Sequence, residues 1–206
     1  MRPTDAAVAR AALVLAGSLS SAPLAAQACR EPHYRWTQKT DTSLAARSSE
    51  LTSVTAILTA WAPPHLASRD RCAPRTGREL RVYRLTAWVR RVEKVKDDGD
   101  WHVELTERAD SPADSCIVVE VPDPRYSRRY GQARAALDSL LGERNIGRRG
   151  VLDRPARVRI AGAAFFDGQH RRGGRGSDEI DGEHGRCNSS VRALWEIHPV
   201  YRVTRP

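Results

Sequence analysis

The feature that most restricts the fold is a change of apolar period along residues 80–203, from two to 3.6 and back to two. Leu80 and Val82 alternate, the phase then moves to Tyr83, Leu85, Ala87 and Val89, and Trp101, Val103 and Leu105 alternate with His102, Glu104 and Thr106. Side chains two apart share one face of a strand, so both stretches read as strands, the first with a bulge near Val82-Tyr83. Between them Asp97-Asp98-Gly99-Asp100 supplies an Asp-Gly hairpin signal. Cys116 to Val121 is a third apolar stretch, closed by Pro122-Asp123-Pro124. Ala133, Ala136, Leu137, Leu140 and Leu141 then fall on one side of a helix, which predicts a helix over 131–141 with Ser127 as its cap and Gly142 just beyond its end. Ala156–Phe166 and Val191–Val203 return to strand character. Three strands, a helix and two strands is the order of a five-stranded OB-fold-like barrel with its helix between strands three and four, so the expected class is mainly β.

The start of the chain reads as a secretory signal peptide over residues 1–28. Arg2 and Arg10 precede or flank the apolar stretch Ala11-Ala12-Leu13-Val14-Leu15-Ala16, and Ala26-Gln27-Ala28 is a small-x-small cleavage site. Gly17, Ser18, Ser20, Ser21 and Pro23 interrupt the stretch short of the roughly 20 apolar residues a membrane span needs, so no transmembrane segment is expected in the mature protein. The expected location is secreted or periplasmic. Lipid anchoring at Cys29 is the alternative, although Ala26 stands where a lipobox usually has Leu. Residues 29–76 read as an extension with one helix, because Leu51, Val54, Leu58 and Trp61 form a stripe that Ser48 or Ser49 could cap and Pro63-Pro64 would stop. Residues 77–206 form the expected main domain. Gly168, Gly173, Gly174, Gly176, Gly182 and Gly185 among charges make 168–190 a long polar loop.

Cys29, Cys72, Cys116 and Cys187 all follow residue 28 and include no C-x-x-C pair. In an oxidising compartment an even set of this kind reads as two disulfides rather than a zinc site, and three pairings remain open. The formal charge is +9, and losing Arg2, Arg10 and Asp5 with the signal leaves +8. Arginine dominates the stretch 125–159, where Arg128, Arg129, Arg157 and Arg159 are the candidate contacts to an anionic polymer or glycan. The same composition also suits a merely soluble cationic surface.

Two acid–histidine pairs stand out in the aromatic C-terminal third: Asp167 with His170, and Glu196 with His198. These four are the candidate catalytic residues. Glu196 and His198 share a strand face, as do His102 and Glu104, so His102, Glu104, Glu196 and His198 are the candidate ligands of a divalent metal able to activate water. Asp167 alternatively caps a turn, and His198 fixes a strand end through a carboxylate. His184, in a Gly-rich polar stretch, is expected to be solvated.

Together Asp98-Gly99-Asp100-Trp101-His102-Val103-Glu104-Leu105, Val119-Glu120-Val121-Pro122-Asp123-Pro124, Phe165-Phe166-Asp167 with His170, and Glu196-Ile197-His198-Pro199-Val200 resemble an uncharacterised family of exported bacterial proteins. Arg35-Trp36-Thr37-Gln38-Lys39-Thr40-Asp41 looks like that family's mature start. The resemblance implies export and brings no activity with it. The Arg/Gly/acid insertion between His170 and Glu196 departs from the family pattern.

No G-x-S-x-G elbow, phosphate-binding G-x-x-x-x-G-K, H-E-x-x-H or dinucleotide fingerprint occurs, so no catalytic or cofactor signature is complete. The leading expectation is a non-catalytic exported binding module for an anionic polymer or glycan, without a cofactor. A metal-dependent hydrolase or nuclease and a structural envelope protein without ligand are the alternatives.

Overall fold

Ser49–Leu51 (β1), Val82–Glu93 (β2), Trp101–Thr106 (β3), Cys116–Val121 (β4), Val151–Phe166 (β5) and Trp195–Thr204 (β6) pair in one mixed sheet, in the order β1-β2-β3-β4-β6-β5. A further pairing of β2 with β5 returns the ladder on itself. Neighbours are antiparallel except for β1–β2 and β4–β6. The α-helices are Trp36–Lys39 (α1), Val54–Ala60 (α2) and Arg128–Leu141 (α3), the last between β4 and β5 in the chain. This computed structural model describes residues 29–94, 98–142, 145–172 and 184–206. The expected signal peptide 1–28, Asp97, and Gly173, Gly174, Gly176 and Gly182 of the expected loop lie outside the described residues.

Local chemistry explains where the elements depart from the expected bounds. Leu80 ends a 3-10 turn over Gly77–Leu80, closed by a Thr76–Glu79 capping box, and is exposed. The bulge expected near Val82-Tyr83 lies instead between Val89 and Arg91, where the pairings with both β3 and β5 shift register. The helix of the extension starts later than expected, since residues 49–51 pair with β2 and Ser53 caps α2 by accepting from the Ala56 amide at 3.0 Å. Leu51 therefore points out of the core and is 76% exposed, while Val54, Ile57 and Trp61 are buried. The α3 helix begins at Arg128, with the Ser127 hydroxyl accepting from the Arg129 amide, and ends before Gly142 at φ +70.

One apolar cluster joins both parts of the chain. Val103, Leu105, Val119, Ile160 and Ile197 of the sheet pack with Leu137 and Leu141 of α3 and with Val54, Ile57 and Trp61 of the extension. Trp61 meets Trp195 edge-on at 5.2 Å and Tyr83 at 4.7 Å, so α2 covers the same core as the strands. Gly162 lets β5 approach β6 where their register shifts, since a Cβ there would stand 2.5 Å from the Pro199 carbonyl oxygen.

Alternating strands predict one wet face, yet every residue of β4 and all of β3 from His102 onward are buried. The second face is roofed. Segment 34–39 covers it from one side, and the chain from His184 to Cys187 from the other. Cys116–Cys187 ties the latter to β4, and Cys29–Cys72 ties the start of the extension. Among the described residues no cysteine is free. Pairing with Cys72 occupies the Cys29 sulfur that a lipid anchor would need. The two disulfides suit an oxidising compartment, and no described helix is long and apolar enough to cross a membrane.

Candidate functional site

Strand register assembles the acid–histidine residues on the roofed face. His102 of β3 lies opposite Glu120 of β4, and Val118 pairs with Glu196 across the parallel β4–β6 ladder, which sets His198 beside Glu120. His198 is fully buried among three carboxylates. Its Nε2 lies 3.1 Å from Asp100 Oδ2, and its Nδ1 lies 3.1 Å from both Glu120 Oε2 and Glu196 Oε2. Carboxylates only accept, so the Nδ1 that Glu196 accepts from carries a proton. Burial alone would lower the imidazole pKa, but the carboxylates of Asp100, Glu120 and Glu196 around the ring hold it well above its ordinary value.

His184 is a second buried imidazole, only 2% exposed, which overturns its expected solvation. Its Nδ1 is 3.0 Å from the Ala193 carbonyl oxygen and its Nε2 is 2.8 Å from Glu196 Oε1, two acceptors that call for protons on both nitrogens. Burial opposes that charge, and Glu196 outweighs it to raise the pKa. Glu196 itself is lowered to about 2, because the bonds from His184 and His198 overcome burial and the repulsion of Glu120.

Asp167 both caps a turn and takes part in the cluster. Its Oδ1 accepts from the Gln169 amide at 3.0 Å, and its Oδ2 accepts from Lys39 at 3.1 Å, with His170 Nε2 at 3.9 Å. Lys39 also stands 3.9 Å from Glu120. Burial disfavours its ammonium, but Asp167 and Glu120 keep its pKa well above the usual lysine value. Glu120, despite full burial, is lowered well below the carboxylate range by Lys39, His102 and His198. Asp100 has mainly His198 for company, and burial raises it.

These groups surround a cavity of about 280 Å³ lined by Lys39, His102, Glu120, Asp167, His170, His184 and Glu196, together with Asp98, His33 and Tyr34. The structure thus brings together Asp167, His170, Glu196 and His102. It leaves Glu104 outside the cavity lining, and sets His198 with Asp100 and Glu120 in a second, buried group whose donor atoms lie within 4.8 Å of one another. Glu104 accepts from Arg91 at 3.0 Å and from Arg186 Nε at 2.7 Å, and His198 has carboxylates on both nitrogens. Lys39, Asp100, Glu120 and His184 join the cluster without having been singled out from the sequence as site residues. For His184 the sequence offered only its place three residues before Cys187, and the Cys116–Cys187 pairing that brings it to β4 is seen in the structure. The cations under the roof pack around Phe165, with Arg35, Lys39 and Arg75 at 4.7, 5.3 and 5.6 Å from its ring centre.

A second cavity, of about 380 Å³, has the opposite character. Arg47, Arg129 and Arg202 line it with Ser48, Ser49 and Gln132, and among the described residues no carboxylate does. Its floor includes Ala161, two residues along β5 from Arg159 and four from Arg157, the positions that face Thr86 and Trp88 of β2. Of the four candidate arginines, Arg129 alone lines the cavity. Arg157 and Arg159 continue from it along the strand, and Arg128 is exposed at the start of α3.

No family model, no curated protein and no solved structure matches this chain. The family resemblance therefore rests on the quoted motifs.

Proposed function

We propose that the protein is an exported binding module of OB-fold-like architecture whose ligand is an anionic polymer or glycan. The return of the sheet order from β5 to β2, with α3 between β4 and β5, supports the barrel reading. The signal-like start and the two disulfides support export. The arginine-lined cavity carries the ligand class: three arginines line one concave space that no carboxylate among the described residues lines. Guanidinium forks pair with phosphate, sulfate or carboxylate oxygens in two-point contacts, and Arg159 and Arg157 extend the same charge for a chain longer than the cavity.

Titration of the mature protein with heparin and with duplex DNA over a salt series tests this. Binding should weaken linearly on a log–log plot, and Arg129→Ala with Arg202→Ala should lower both the affinity and the slope. Lack of association with either polymer at about 50 mM salt, where such contacts are strong, would favour the structural envelope reading. The acid–histidine cavity favours a second reading, a metal-dependent hydrolase or nuclease. Chelator-sensitive turnover of DNA or a phosphate ester distinguishes it.

A further inference from the structure

The acid–histidine cavity is suited to a cation, and this holds independently of the anionic-ligand reading above. We propose that Asp167, His170 and His184 bind a divalent transition-metal ion of the zinc class. One donor atom from each lies within 4.8 Å of the other two, with Asp167 Oδ2 and His170 Nε2 at 3.9 Å. Small side-chain rotations close that spacing around an ion with ligand bonds of about 2.0–2.2 Å. Two imidazoles and one carboxylate with positions left open form a set for zinc and its first-row neighbours. Magnesium and calcium prefer all-oxygen shells.

A separate observation points the same way. His102 is buried and lines the cavity, its Nδ1 faces Glu120 Oε1 at 3.1 Å, and among the described residues its Nε2 has no hydrogen-bond partner. The carboxylate requires the proton on Nδ1, which leaves a lone pair on Nε2 in the neutral ring. Such a carboxylate–imidazole pair is the usual support of a metal-facing histidine. The buried Tyr34 hydroxyl, at the same cavity, likewise has no partner among the described residues. A buried polar atom without a partner calls for an explanation, and an ion or its bound water in the cavity supplies one.

Charge balance agrees. Asp98, Glu120, Asp167 and Glu196 line the cavity against Lys39, its one lysine or arginine among the described residues. On metal uptake the Nε2 proton of His184 leaves for solvent, and the Glu196 carboxylate it faced adds negative charge beside the ion. Lys39 gives up Asp167 and turns toward Glu120, already 3.9 Å away.

The test uses the disulfide-intact mature chain after chelator treatment, with equilibrium dialysis against Zn²⁺ or Mg²⁺, metal analysis and competition with a chromophoric chelator. One zinc and no magnesium should be retained per chain. His170→Ala and Asp167→Asn should each weaken zinc binding at least tenfold, and His65→Ala, at an exposed histidine outside the cavity, should leave it unchanged. His170 is partly exposed, so its variant folds, which a thermal melt verifies. Absence of zinc from the wild type overturns the proposal. So does His170→Ala binding zinc as tightly as the wild type, or loss of zinc in His65→Ala.

Discussion

Glu196 Oε1 and His184 Nε2 meet at 2.8 Å although the residues between them include a stretch of turn and the start of β6. This contact fastens the 184–187 segment to the charged face of the sheet. Arg186 fastens it again through Glu104, and Cys187 a third time through Cys116. The roof is therefore held by an ion pair, a second ion pair and a covalent bond, each to a different strand.

Replacing Cys116 and Cys187 together by Ser should destabilise the protein by about 4 kcal/mol, as loop-closure entropy gives for a separation of 71 residues. Hydrogen exchange should show the 184–187 segment opening first. Intact mass without reductant should also show no alkylated thiol in the wild type, and a melting temperature unmoved by the double replacement would contradict the account.

Arg35 and Glu79 are both buried and joined by two bonds, of 2.7 and 2.9 Å. Arg35→Ala leaves a buried carboxylate without its main partner, so about 3–5 kcal/mol should be lost. Arg35→Met with Glu79→Gln should recover much of that loss, since the uncompensated charge goes with its partner. Urea unfolding of the two single variants and the pair measures the coupling.

Stability should peak between about pH 4.5 and 6.5 in chelator-treated protein. His198 is held well above 6.5, so its contribution is whole below that value and is lost as pH rises through the raised pKa. Glu120 is held well below 4.5, so its contribution is whole above that value and is lost as pH falls through the depressed pKa. Asp100, raised by burial, favours the acid side and softens the acid limb. Melting curves across pH check this, and His198→Gln should lower stability at every pH and flatten the alkaline limb.

Trp61→Ala should cost about 3–5 kcal/mol, the range for deleting a buried aromatic ring. The ring sits between Tyr83 and Trp195, so its loss should free α2 from the strands. Protease cleavage within residues 54–61 should then precede global unfolding, and uniform resistance along the chain would argue against a shared core.

Period and punctuation in the sequence determined the local elements. The spacing of Val103 and Leu105, of Ala133, Leu137 and Leu141, and the glycine at 142 specify strands and a helix through contacts within a few residues. The same period placed Glu196 and His198 on one face, where they meet at 3.1 Å. Tertiary structure decided the rest, because burial of a charge depends on what covers it. Lys39, Asp100, Glu120 and His184 carry no local mark of their role. They become a cluster when β4 pairs parallel with β6, the Cys116–Cys187 bond lowers one roof and the 34–39 segment lowers the other. Glu104 shows the converse: it shares its strand face with His102, yet Arg91, its partner across the β2–β3 hairpin, and Arg186, far along the chain, take its carboxylate out of the cavity. A strand's own pattern sets which side a residue faces, and only packing sets which charges wait there.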